Sequence, residues 1–195
     1  MRNLIGILVL LTSLTSAFAA DTSLEVAVQR ARDYVAACTA GKLGDYQAES
    51  LDFGSIGQFA FGDAYTALAS DGKTAVTEKL QNFVRLVNGN EGIKQLLMTA
   101  TYDVGEPRAT AAGAEVDVAM HAKGDVENVS TLVYSAQDAK IALVDIRRQG
   151  KGLGDQIKAG YEKTGRGDPV RFLDGLIGVT RMQLKKAERA AQKQP

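Results

Sequence analysis

The spacing of apolar residues changes twice along this chain. From Leu24 to about Val87 they recur every three or four positions, from Thr99 to Ile146 they largely alternate with polar residues, and from Leu153 the wider spacing returns. A period near 3.6 marks helices that bury one stripe, and a period of 2 marks strands that bury one face.

The alternating region organises the rest. Glu115-Val-Asp-Val-Ala-Met120 is followed by Val126 to Tyr134, a polar turn at Ser135 to Asp138, and Lys140 to Ile146. Thr99 to Val104 reads as a further strand, with Gly105 and Pro107 at its frayed end. The links are too short for crossover helices, so the strands form an antiparallel meander. A sheet with one apolar face needs a cover, and the helical segments supply it. The fold class expected is α+β: several helices on a twisted antiparallel sheet of about four strands.

The first helix carries Leu24, Val28, Ala31, Val35 and Cys38, opens at a Thr22-x-x-Glu25 capping box and stops at Gly41. Lys42 to Glu49 reads as a polar connection. Phe53, Ile56, Phe59 and Ala60 then share one face of a short, glycine-weakened helix ending at Gly62, with a helical turn near Tyr65. Asp71-Gly72 reads as a break. The next helix buries Val76, Leu80, Phe83, Val84 and Val87 and ends at Asn88-Gly-Asn90. Ile93 to Met98 fits either a helical turn or the start of a strand. After the sheet, Leu153, Ile157 and Tyr161 mark a two-turn helix leaving Arg147 to Gly150. Asp168 and Pro169 open a last helix burying Phe172, Leu173, Leu176, Ile177 and Val179, whose tail turns charged at Lys185, Lys186, Glu188, Arg189 and Lys193.

Composition adds two constraints. The 23 basic and 23 acidic residues balance, so no global basic excess points to nucleic acid. Arg2, the apolar run Leu4 to Leu14 and Ala17-Phe18-Ala19 read as an export signal cut after Ala19. That leaves residues 20–195 as one domain, expected in the periplasm. Cys38 is the single cysteine and reads as a small buried hydrophobe.

Catalytic signatures are sparse. His121 is the single histidine, with no cysteine or second histidine to complete a transition-metal site. Gly150-Lys-Gly-Leu-Gly154 lacks both nucleotide-binding glycine patterns and reads as a turn before a helix. Arg166-Gly-Asp168 is better explained by Asp168 as a cap. Asp145 interrupts an apolar strand and can pair with an arginine or cap a turn. What remains is an apolar space under the helices, either filled core or a pocket for an apolar ligand.

Two stretches resemble the toluene-tolerance family, the periplasmic phospholipid shuttles of the maintenance-of-lipid-asymmetry pathway. The first is Leu51-Asp52-Phe53-x-x-Ile56-x-x-Phe59-Ala60-Phe61-Gly62-x-x-Tyr65. The second is Leu143-Val-Asp145-Ile146-x-x-x-Gly150-x-x-Leu153, continuing to Ile157-Lys158 and Tyr161. Gly175-Leu176-Ile177 resembles the family's terminal helix. The chain departs at Asp63, Tyr65, Ile141, Gln149 and Gly152, and Lys158 stands where the family has arginine.

The resemblance implies an NTF2-like fold with a deep apolar pocket for phospholipid acyl chains and no cofactor. Its partners would be an outer-membrane lipoprotein–porin complex and an inner-membrane ABC transporter carrying a ring of substrate-binding domains. Candidate pocket walls are Phe53, Ile56, Phe59, Val84, Val118, Met120, Leu132, Tyr134 and Leu143. Two alternatives stand beside it. One is an NTF2-like enzyme acting on an apolar small molecule, with Asp103, Asp117 or Asp145 as a base whose pKa burial raises. The other is a ligand-free adaptor that binds proteins through its helices.

Overall fold

A computed structural model describes residues 23–122, 126–137, 140–164 and 167–191. The expected export signal and the Thr22 cap lie outside these residues.

Eight helices and five strands are present among the described residues. Helix α1 spans residues 23–39 and buries Ala27, Ala31, Tyr34 and Cys38. Leu24, Val28 and Val35 of the expected stripe are half-buried beside them. Next come α2 (Leu43–Ser50), α3 (Phe53–Phe61), the single turn α4 (Asp63–Thr66), α5 (Ser70–Asn88) and α6 (Glu91–Thr99). The strands are β1 (Thr101–Val104), β2 (Arg108–Thr110), β3 (Gly113–Ala122), β4 (Val126–Gln137) and β5 (Lys140–Arg148). Helices α7 (Leu153–Lys163) and α8 (Pro169–Ala191) complete the chain.

All strand pairs are antiparallel, in the order β1-β3-β4-β5, as the meander requires. β2 also pairs with β3, at Gly113 to Glu115, beyond the segment that pairs with β1. This fifth strand was not expected. Its three residues are all exposed, so they carry no alternation to read. The inner face of the sheet is Ala114, Val116 and Val118 of β3, Ser130, Leu132 and Tyr134 of β4, and Leu143 of β5. These pack with α1, α3 and α5 into one core.

Three boundaries differ from the sequence reading. Lys42 to Glu49 is largely helix α2, which buries Leu43, Gly44, Gln47 and Ala48 against α5. With so few apolar residues on that face, packing rather than periodicity holds it. Asp71-Gly72 does not break the chain but lies in the first turn of α5. Backbone N–H groups there lack helical partners in any case, and an acidic residue suits that end of the dipole. β4 runs through Ser135 to Gln137 rather than turning at Ser135.

The ambiguous Ile93 to Met98 is helix, capped by Asn90, whose Oδ1 accepts from the Ile93 N–H at 3.3 Å. Asp52 caps α3 the same way through the Ser55 N–H at 3.0 Å, and Gly62 ends it with a positive φ of 55°. Asp168 accepts from the Val170 N–H at 2.8 Å and so fills its expected place before Pro169.

Candidate functional site

An irregularity in β5 decides what faces the interior. Tyr134 pairs with Leu143 but Val133 pairs with Asp145, so Val144 is an extra residue, a β-bulge. Beyond the bulge the alternation is reversed. Ile146 and Arg148 pair with Leu132 and Ser130 of the inner face, while Asp145 and Arg147 turn to the outer face. There Arg147 donates to Glu115 at 3.1 Å and to Asp145 at 3.2 Å.

Two cavities lie against the inner face on either side of Arg148. The first, about 200 Å³, is bordered by α2, α5, β5 and the start of α7, with Val84, Val87, Ile146 and Leu153 among its walls. The second, about 230 Å³, lies under α1 and α6, with Cys38, Leu97, Val118 and Met120 among its walls. Both are mainly apolar, and Arg148 borders both. Its Nε donates to Ser130 Oγ at 3.3 Å. Among the described residues no carboxylate pairs with it.

A small polar group lines the second cavity beside that cation. Burial pushes the Tyr34 hydroxyl up to about 12, with Cys38 adding to the rise and Arg148 opposing it. Burial likewise pushes the Cys38 thiol up to about 11. The Tyr102 hydroxyl is raised, first by burial and then by Cys38, and donates to the Leu97 carbonyl at 2.7 Å. All three are therefore neutral at ordinary pH, and Arg148 is the charged group of this wall.

The nine residues chosen from the sequence divide into three groups. Val84, Val118 and Met120 line the cavities. Phe53, Leu132, Tyr134 and Leu143 are packed inside the core, none more than 3 % exposed, and border neither cavity. Ile56 is buried too, with one edge on a shallow outer cleft. Phe59 is 52 % exposed and stands on the outer surface, not under the helices. It sits one position off the buried face of α3, against Gly154, with the Lys158 ammonium 5.1 Å from its ring centre.

The residues that sequence reasoning missed are Arg148, Ser130, Tyr34 and Tyr102. Strict alternation from Leu143 would put Arg147 on the inner side, and the bulge puts Arg148 there instead.

The three aspartates considered as bases stand apart from the two cavities. The Asp103 side chain is 82 % exposed, 3.0 Å from His121 Nε2. Asp117 is held below the usual carboxylate range, chiefly by hydrogen bonding from Arg108, with Thr131 assisting against burial. Asp145 accepts from Arg147 and from the backbone N–H groups of Ile146 and Leu153. None of the three borders either cavity. Among the described residues no cluster of His, Cys, Asp and Glu is arranged to hold a metal ion.

No family model and no curated protein sequence matches this chain. Among solved structures, the chain is similar to the phospholipid-binding protein from Ralstonia solanacearum, which was solved in complex with a phospholipid. The TM-score is 0.60 at 17 % sequence identity, over 85 % of this chain and 98 % of that one, so the two share a fold across nearly their whole length.

Proposed function

We propose that this protein is a phospholipid carrier whose two apolar cavities take acyl chains and whose Arg148 meets the phosphate. The observation that carries this reading is a guanidinium that borders two apolar spaces and has no carboxylate partner among the described residues. Arg148 is exposed, so its guanidinium is accessible to an anion, and guanidinium forms strong paired hydrogen bonds to phosphate. Two chains diverging from one phosphate is the shape of a glycerophospholipid. The neighbour of like fold, with its bound phospholipid, supports the same cargo class.

The energetics favour such a carrier. Each methylene exposed to water costs about 0.8 kcal/mol, so a sixteen-carbon chain needs shielding on the order of 12 kcal/mol. The cavities, about 200 and 230 Å³, fall below the roughly 300–1,000 Å³ typical of ligand sites. Loading therefore requires the covering helices to move, α5 at the first cavity and α1 and α6 at the second. No catalytic group is needed.

The export signal read at residues 1–19 sets the carrier in the periplasm, and the motif resemblance sets it between an outer-membrane complex and an inner-membrane ABC transporter. The test is native mass spectrometry of the exported protein, followed by lipid extraction. A bound species of phospholipid mass is expected, lost in Met120→Asp and Val87→Asp and weakened in Arg148→Gln. A bare protein mass that persists after incubation with phospholipid vesicles would overturn the reading.

A further inference from the structure

A further opening on the described surface is not one of these cavities. It is an apolar groove of about 760 Å³ between the end of α7 and the first half of α8, with Phe172, Leu176 and Val179 on its floor and Lys163 and Arg171 at its edges. Asp168 also borders it, but its carboxylate is engaged in capping α8.

The groove continues into an exposed stripe. Arg171, Gly175, Val179, Met182, Lys186 and Arg189 follow one another at steps of three or four, so they share one side of α8. Val179 is 46 % and Met182 66 % exposed. The two carboxylates of α8 lie on another side: Asp174 is paired with Lys79 of α5, and Glu188 accepts from Asn90 at 3.3 Å. The exposed stripe is thus apolar at its centre and cationic at both ends.

We infer that this stripe and the adjoining groove dock α8 on an anionic lipid surface. A helix with apolar residues on one exposed line and cations flanking them lies in the plane of a bilayer interface, its apolar residues among the acyl chains and its cations on the phosphates. A protein partner of like chemistry is disfavoured because the apolar line is one side chain wide beyond the groove. No described helix is long and apolar enough to cross a membrane, so α8 lies along the surface. α7 links the two regions: its first turn borders the first cavity and its last turn the groove. The docking stands on α8 alone and does not depend on what the cavities hold.

The test is co-sedimentation of the exported protein with vesicles of phosphatidylcholine, with and without phosphatidylglycerol. Binding to the anionic vesicles alone is expected, weakening as salt is raised. The double substitution Lys186→Gln/Arg189→Gln should weaken it about 25-fold, at about fivefold per cation. The double substitution Arg181→Gln/Lys185→Gln, equal in charge but off the stripe, should weaken it less than about threefold, since charge further from the surface counts less. Equal loss in both variants, with unchanged circular dichroism, would overturn the stripe. No sedimentation with anionic vesicles at low salt would overturn the lipid surface and leave the face to a protein.

Discussion

The Asp145 carboxylate accepts a hydrogen bond from the Leu153 backbone N–H at 3.1 Å, which ties the end of the sheet to the first turn of α7. A side chain at Gly152 would break this tie, because its Cβ would lie 2.0 Å from Asp145 Oδ2. The carboxylate would have to swing away and leave a part-buried N–H without its acceptor. Gly152→Ala is expected to cost about 1–3 kcal/mol. The urea midpoint reads this directly, and an unchanged midpoint would mean that the carboxylate has a second seat of equal energy.

Much of the fold was legible because its patterns are strong. The alternation from Ala114 to Met120 is strand β3 with the expected residues inward, and Val76, Leu80 and Val84 are the buried line of α5. The site was less legible for a specific reason. Strict alternation from Leu143 would turn Asp145 and Arg147 inward, whereas the bulge at Val144 turns Ile146 and Arg148 inward instead. A bulge of this kind carries no residue signature here. Phe59 shows the companion limit: periodicity gives the direction of a stripe but not its width, and Phe59 falls just outside it. Helix α2 was missed because it is held by burial of Gly44 and Gln47 as much as of Leu43 and Ala48.

Tyr134 is the second instructive residue. Its ring is 1 % exposed, and its hydroxyl is buried without a hydrogen-bonding partner among the described residues. Burial of that hydroxyl also raises its pKa. A buried polar group left unpaired costs about 1–3 kcal/mol, and removing it while keeping the ring recovers part of that cost. Tyr134→Phe is therefore expected to leave stability unchanged or raise it by about 1 kcal/mol. A loss of more than about 1 kcal/mol in chemical denaturation would show that the hydroxyl has a partner worth that much.

Cys38 is fully buried on α1, with its thiol pushed up to about 11 by burial. The nucleophile in thiol chemistry is the thiolate, and a raised pKa suppresses it as burial blocks access. A thiol reagent at neutral pH should leave the native protein unmodified and label it fully in denaturant. A lipid that parts α1 and α6 would expose the same wall, so labelling in the presence of phospholipid vesicles should be faster than without them. Equal rates in the two conditions would place the entry route away from the second cavity.

Arg108 and Asp117 form an ion pair across β2 and β3, and its effect on stability has a definite sign. The folded protein holds the Asp117 pKa below its unfolded value, chiefly through the hydrogen bond from Arg108. The unfolded chain therefore binds more protons in the acid range, and stability falls as pH drops through it. The contribution is fully present above the unfolded carboxylate pKa, about 3.9, and is lost as pH falls through the lower folded value. The side chains are 52 % and 33 % exposed, so solvent screens the pair and its worth is about 0.2–1 kcal/mol. Asp117→Asn should lower stability by that amount at neutral pH, and the gap from the parent should narrow on acidification. Glu115 stands 3.7 Å from Arg108 and can take over part of the pairing, which keeps the expected loss near the lower end. Urea midpoints of both proteins at neutral pH and near pH ~3 test this, and a gap that stays constant with pH would show that the loss is one of packing rather than of charge.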